Sequence, residues 1–299
     1  MPAEAVIARR EVDFSRPFFP ARMTALAHVQ SWDLLETRHQ LRYSQLYALY
    51  LNEQTVFFEE LLATNVLPAL YQRPDRIGDD LAEDLRRFEA EERRHSSWFR
   101  EMNHRVDPAR FSLDEGTYVF IPADARMRAV TAWFARQPFA FPSWIWLMLL
   151  QEERSITVAR ECLKQQTRLE PAFVELHRKH LADEVDHVQW DIKLVERLWL
   201  PMPTWKRRLH ARLFGVLMAE FFTAPKRAGK AVLQALLDEF PELAPLGADL
   251  HRELEGLATS REYHASLYSR EITPRSFALF DELPEFKNIG RHLLAYERP

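Results

Sequence analysis

Apolar positions recur every three to four residues along most of the chain, the period of an amphipathic helix. The pattern predicts one long helix over 39–71, closed by Pro68 and Pro74, and a second, rich in Glu and Arg, from Asp79 to His104. Residues 105–121 read as a connection holding Gly116 and the β-prone run Thr117-Tyr-Val-Phe-Ile121. A third helix over about 123–136 stops before Pro138. Pro142-Ser143 opens a fourth over about 143–168, and Pro171 a fifth over about 171–199, stopped by Pro201 and Pro203. Two or three further helices fill 204–266. The ends read as irregular: an arm over 1–23 with Pro2, Pro17 and Pro20, and a tail from Thr273. Two long helices, a crossover and two more long helices make a bundle with one long connection. The expected fold class is therefore all-α. It is a ferritin-like helical bundle with a long crossover and additional C-terminal helices, 1–299 forming one domain around a core at about 39–200.

Composition agrees with that reading. Only 7 Gly occur in 299 residues against 47% hydrophobic residues, which favours helices long enough to bury a sizeable core. A net charge of −4 gives no reason to expect a nucleic-acid partner. One cysteine, Cys162, excludes an internal disulfide and fits a reducing cytoplasm. The N-terminus lacks the apolar stretch of a signal peptide, and the longest apolar run, Trp144 to Leu150, is far shorter than a membrane span. A cytoplasmic protein without membrane contact is expected.

The most informative run is His180-Leu-Ala-Asp-Glu184-Val-Asp-His187. At 100° per residue, positions i, i+4 and i+7 lie within roughly 60° on a helix, so two imidazoles and a carboxylate point at one spot. Di-iron carboxylate bundles take a Glu from each of two helices and a Glu-x-x-His from each of two others. The first half offers Glu59 (or Glu60), then Glu92-Arg-Arg-His95; the second offers Glu153 (or Glu152), then Glu184-Val-Asp-His187. The intervals are 33 residues from Glu59 to Glu92 and 31 from Glu153 to Glu184. Two more Glu-x-x-His pairs exist, Glu36/His39 and Glu101/His104, and an isolated pair is ordinarily a solvated i,i+3 contact. The former has no glutamate-bearing helix before it, and the latter lies at a helix end. Carboxylates with one or two imidazoles per ion suit iron first and manganese second, rather than tetrahedral zinc. Asp183 and Glu91, each just before a motif glutamate, are placed to hold a ligating histidine of the other half by its free N–H.

With these residues in place the chain resembles the p-aminobenzoate N-oxygenase family of non-haem di-iron enzymes. The likeness rests on His180 to His187, on Glu92-Arg-Arg-His95, and on Asn52-Glu53-Gln with Glu59 six residues after Glu53. It covers about 40–200. That family carries an extra histidine four residues before the last glutamate, here His180. Its local pattern favours Glu59 over Glu60, and its spacing of about 27 residues before that histidine favours Glu153. Glu91 departs from the family, where an aspartate is usual. The resemblance implies seven metal ligands, Glu59, Glu92, His95, Glu153, His180, Glu184 and His187. It also implies two iron ions, O2 as co-substrate, an external electron donor, and stepwise oxidation of an arylamine nitrogen toward hydroxylamine, nitroso and nitro products. His180 is then the neutral donor expected to tune the site toward amines.

Other features are quieter. Trp98, Trp133, Trp144, Trp146, Trp190, Trp199 and Trp205 read as core, with a share available to line an aromatic substrate pocket. The amphipathic segment 209–217 reads as a core helix or a homodimer interface. Arg207, Arg208, Lys226, Arg227 and Lys230 read as a solvated face from which one cation could meet a substrate carboxylate. No Gly-rich phosphate loop, Gly-x-Ser-x-Gly or Cys-x-x-Cys occurs. The competing readings are a di-iron C-hydroxylase or desaturase on the same scaffold, and a ferritin-like metal-storage protein. The surplus of over a hundred residues outside four helices favours a substrate pocket over storage.

Overall fold

The computed structural model describes residues 11–223 and 226–298. Twelve α-helices and no strand occur among them. In chain order they are α1 (Thr37–Leu61), α2 (Leu67–Tyr71), α3 (Pro74–Ile77), α4 (Asp79–Val106), α5 (Ala125–Ala135) and α6 (Phe141–Lys164). There follow α7 (Pro171–Leu194), α8 (Thr204–Phe221), α9 (Arg227–Glu239), α10 (Ala244–Gly256), α11 (Arg261–Leu267) and α12 (Pro274–Glu282). The pairs α1/α4 and α6/α7 pack as two hairpins that meet along α4 and α7, giving the expected all-α bundle.

The long helices begin where capping chemistry lets them. Glu36 caps α1 reciprocally with His39, whose Nδ1 takes the Glu36 N–H at 3.2 Å. That Glu-x-x-His pair is thus a helix start, as its position outside the metal pattern suggested. Glu170 receives the N–H groups of Ala172 and Phe173 at the head of α7. Pro68 does not end the first helix. It enters through a π turn, Leu62–Val66, into α2, and at that position the missing proline N–H costs nothing. A second π turn, Val195–Trp199, closes α7.

The crossover 107–140 forms no strand at 117–121; instead one buried carboxylate takes its backbone donors. Glu53 on α1 accepts from the N–H groups of Val119, Phe120 and Ile121 at 2.5, 2.7 and 3.3 Å. His104 holds the same connection through the Phe111 carbonyl at 2.7 Å. Asn52 donates to Asn103, which donates on to the Leu49 carbonyl, tying α1 to α4. The residues beside Glu59 that carried part of the resemblance are therefore structural struts. Glu53→Ala leaves three N–H groups without their acceptor; a loss of about 2–3 kcal/mol is expected, read as a lower urea midpoint at an unchanged m value.

Beyond 200 the helices exceed the expected two or three: α8, α9, α10 and α11 all form there, and α12 lies in the tail read as irregular. Helix α8 packs on α6, α9 on α1, and α12 on α6. Helix α8 buries Phe214 and Met218 but leaves Trp205, Leu209 and Val216 more than half exposed. No helix among the described residues is long and apolar enough to cross a membrane.

Candidate metal centre

Four helices deliver one knot of buried side chains. Glu59 comes from α1, Glu92 and His95 from α4, Glu152 from α6, and His180, Glu184 and His187 from α7. His95 and His187 are each flanked by the same two carboxylates. His95 Nδ1 lies 3.5 Å from Glu92 Oε1 and 3.7 Å from Glu184 Oε1; His187 Nδ1 lies 3.4 and 3.6 Å from those atoms. Glu92 and Glu184 thus stand between the two imidazoles. Glu59 Oε1 and Glu184 Oε1 face His180 Nε2 at 3.1 and 2.7 Å. Glu152 Oε2 approaches His187 Nδ1 at 3.8 Å. One ligand atom from each of Glu92, His95, Glu184 and His187 falls within a 4.8 Å cluster, and Glu59, His95 and His180 form a second.

The rear nitrogens are held crosswise. His95 Nε2 bonds Asp183 of α7 at 2.9 Å, and His187 Nε2 bonds Glu91 of α4 at 3.1 Å. Each motif's preceding carboxylate therefore grips the other hairpin's histidine. Arg94 braces Asp183 at 2.7 Å, and Arg87 braces Glu91 at 2.9 Å. With Nε2 held by a carboxylate, each ring turns its Nδ1 inward. Ser96 bonds Glu59 Oε2, and Phe88 stacks on His187 with ring centres 3.9 Å apart, fixing the rotamers.

The inward atoms lack hydrogen bonds. Both carboxylate oxygens of Glu92 and of Glu184, and Nδ1 of His95 and of His187, are fully buried without a hydrogen-bond partner. A buried orphan of this kind costs about 1–3 kcal/mol, so six converging at one point call for a shared partner. Divalent metal ions fit that demand, and the donor set is the one iron or manganese takes.

Electrostatics point the same way. Burial and the nearby Glu92 push Glu59 up to about 8. Burial and Glu152 raise Glu92 and Glu184 well above the carboxylate range. Glu152 goes the other way: burial would raise it, but Glu184 and His187 beside it outweigh that and hold it ionised. Burial lowers His180 to about 4, keeping it neutral. Burial also works against charge on His187, yet Glu152, Glu91 and Glu92 outweigh it and lift the group to about 10. Carboxylates crowded this closely cannot all ionise until a cation joins them.

Six of the seven expected ligands stand in the knot, and Glu153 does not. Its carboxylate turns outward to the head of α12. It accepts from the N–H of Arg275 at 2.8 Å, and from the N–H and hydroxyl of Ser276 at 2.7 and 2.6 Å. Adjacent helix positions differ by about 100°, so the two carboxylates cannot share one target, and Glu152 takes the inner place. The first half divides its own pair likewise. Glu60 turns outward to Arg100 and to the Tyr118 hydroxyl, leaving Glu59 inside. Two residues that no motif signalled also lie here. Asp191, one turn past His187, is fully buried with both oxygens unpartnered, its acid form favoured by burial and by Glu152. His177, one turn before His180, is held neutral by burial, its pKa lowered to about 4.

A cavity reaches the knot from one side. Its inner end, about 60 Å³, is lined by Glu59, Glu152, His180 and Phe99. It shares Gln54, Phe58 and Phe222 with an apolar chamber of about 420 Å³ walled by Phe57, Phe134, Trp144 and Leu147. Of the cations expected on a solvated face, Arg207 pairs with Glu285, Lys226 with Glu220 and Lys230 with Glu255. Lys226 and Arg227 border the chamber.

No curated protein matches the chain. A family model described as P-aminobenzoate N-oxygenase AurF matches residues 7–267, a span that contains every residue of the knot. The chain belongs to the p-aminobenzoate N-oxygenase AurF family.

Proposed function

We propose that the chain is a di-iron N-oxygenase that oxidises the nitrogen of an arylamine. The observation that carries the reading is the set of six orphaned, inward-facing atoms on Glu92, His95, Glu184 and His187, extended by Glu59, His180 and Glu152. In this reading Glu59, Glu92, His95, Glu152, His180, Glu184 and His187 would hold the ions. The ions, when bound, supply O2 activation with electrons from an external reductant. The chain supplies the rest. Asp183 and Glu91 hold the His95 and His187 rings in one tautomer and orientation. Neutral His180 gives one side a second imidazole, beside His95, without added charge. Phe58, Phe99 and Phe222 shield the inner end of the cavity from bulk water, and the adjoining chamber of about 420 Å³ has the room for a flat ring.

The test is direct. Protein reduced with two equivalents of Fe(II) per chain is mixed with O2, reductant and a panel of aminobenzoates, and the products are separated chromatographically. Hydroxylamine, nitroso or nitro products are expected, with no ring hydroxylation. Ring-hydroxylated products alone would replace this reading with a C-hydroxylase.

A further inference from the structure

Arg154 lies two residues beyond Glu152 on α6 and is part-buried against the cavity. On the helix, Gln151, Ser155 and Val158 fall at about 0°, 40° and −20°, with Glu152 near +100° and Arg154 near −60°. All five line the inner cavity. One edge of that wall therefore carries a residue of the knot and the other a guanidinium. Arg154 also lines a small side cavity with Tyr47, Tyr50 and Tyr263, and its guanidinium carbon sits 5.6 Å from the Tyr268 ring centre. Among the described residues it forms no ion pair with a carboxylate, unlike Arg207, Lys226 and Lys230. A guanidinium taken out of bulk water without a counter-ion is costly, and its planar fork matches a carboxylate in two parallel bonds. The side cavity, the inner cavity and the large chamber all share Gln54 and Phe222, and Arg154 lines the first two of them, beside Glu59 and Glu152 in the inner one.

We propose that Arg154, framed by the Tyr50 and Tyr268 side chains, is the residue that recognises a carboxylate on the substrate, with the amine directed at the knot. This rests on the N-oxygenase reading for the amine end alone. It excludes Arg227 at the chamber border as the recognising cation, and it makes the chain selective for acidic over neutral arylamines of equal size.

The probes are p-aminobenzoate and its neutral isostere p-aminobenzamide, titrated calorimetrically into iron-loaded protein under anaerobic conditions. The unaltered chain is expected to bind the acid at least about tenfold more tightly than the amide, the worth of one charge-assisted contact. Arg154→Gln should bring the two affinities together, Arg154→Lys should keep part of the preference, and Arg227→Gln should keep all of it. Should Arg154→Gln fail to fold, the acid–amide comparison in the unaltered chain and in Arg154→Lys still decides. Equal affinity for the two probes in the unaltered chain, no binding of the acid, or a preference lost in Arg227→Gln overturns the proposal. Product analysis runs separately. N-oxygenated amines without acid preference refute the Arg154 assignment but not the reaction, whereas acid preference without N-oxygenated product refutes the reaction and leaves the anion site standing.

Discussion

Glu152→Ala is expected to lower iron from about two to one or fewer per chain and to cut amine oxidation by more than about a hundredfold, while Glu153→Ala leaves the iron content unchanged. The two side chains are neighbours in sequence and equally buried, yet their carboxylates do different work. Glu152 faces His187 within the knot, and Glu153 receives three donors at the head of α12. Losing a side chain that, on the proposed reading, holds an ion directly should cost more than the ten- to hundredfold typical of an outer partner. Removing Glu153 instead strips the acceptor from two N–H groups at a helix start and from a buried hydroxyl. That should cost about 2–4 kcal/mol, with α12 loosened from α6. In metal-free protein both variants should lower the urea midpoint, Glu152→Ala because His187 loses the carboxylate that does most to lift it and Glu153→Ala because α12 loses its acceptor. Iron quantification therefore decides. If iron is lost in Glu153→Ala and retained in Glu152→Ala, the placement of this pair is wrong.

That pair also marks where the sequence stops being legible. The long helices, their order and the crossover follow from the 3.6-residue period and from proline positions, which are local signals. The histidines and motif glutamates could be read because each Glu-x-x-His occupies one helix face at a fixed spacing. Choosing between Glu152 and Glu153 needed knowledge of α12, which docks over 120 residues later in a tail whose prolines suggested irregular chain. A local clue existed. Both halves carry a Glu-Glu pair, and taking the first member of each gives intervals of 33 and 32 residues to Glu92 and Glu184. That near-identity argued for Glu152 as Glu59 argued for itself. The run Thr117 to Ile121 has strand-forming residues but no strand edge to join, so Glu53 satisfies its backbone. Arg154, His177 and Asp191 could not be singled out. Each is one polar residue among many, and their burial beside a cavity or the knot is a tertiary fact.

Metal loading is expected to raise the melting temperature by more than about 10 °C at pH 8, with a visibly smaller rise at pH 6.5. A ligand at a thousandfold its dissociation constant contributes about 4 kcal/mol per site, and each kcal/mol moves a domain of this class by about 2–4 °C. The pH dependence comes from the metal-free state. Glu59 titrates near 8 in the folded chain against 4.5 in the unfolded one. Its contribution to stability is therefore complete below pH 4.5 and is lost as pH rises through 8. Glu92 and Glu184 are raised as well and act in the same sense. His180, lowered to about 4 from 6.5, contributes fully above pH 6.5 and loses that only as the solution is acidified toward 4, outside this window. His187, raised to about 10, contributes fully below pH 6.5 and declines toward 10, again in the sense of the carboxylates. Between pH 6.5 and 8 the metal-free protein should thus weaken. Bound cations hold the same carboxylates ionised in the folded state, so the loaded protein should not follow. The gap between loaded and metal-free melts consequently widens with pH, and protons are released on loading at pH 6.5. Paired melts at the two pH values with Fe(II) or redox-inert Mn(II) measure it, and a gap that narrows toward pH 8 would show that the knot's carboxylates do not receive the metal.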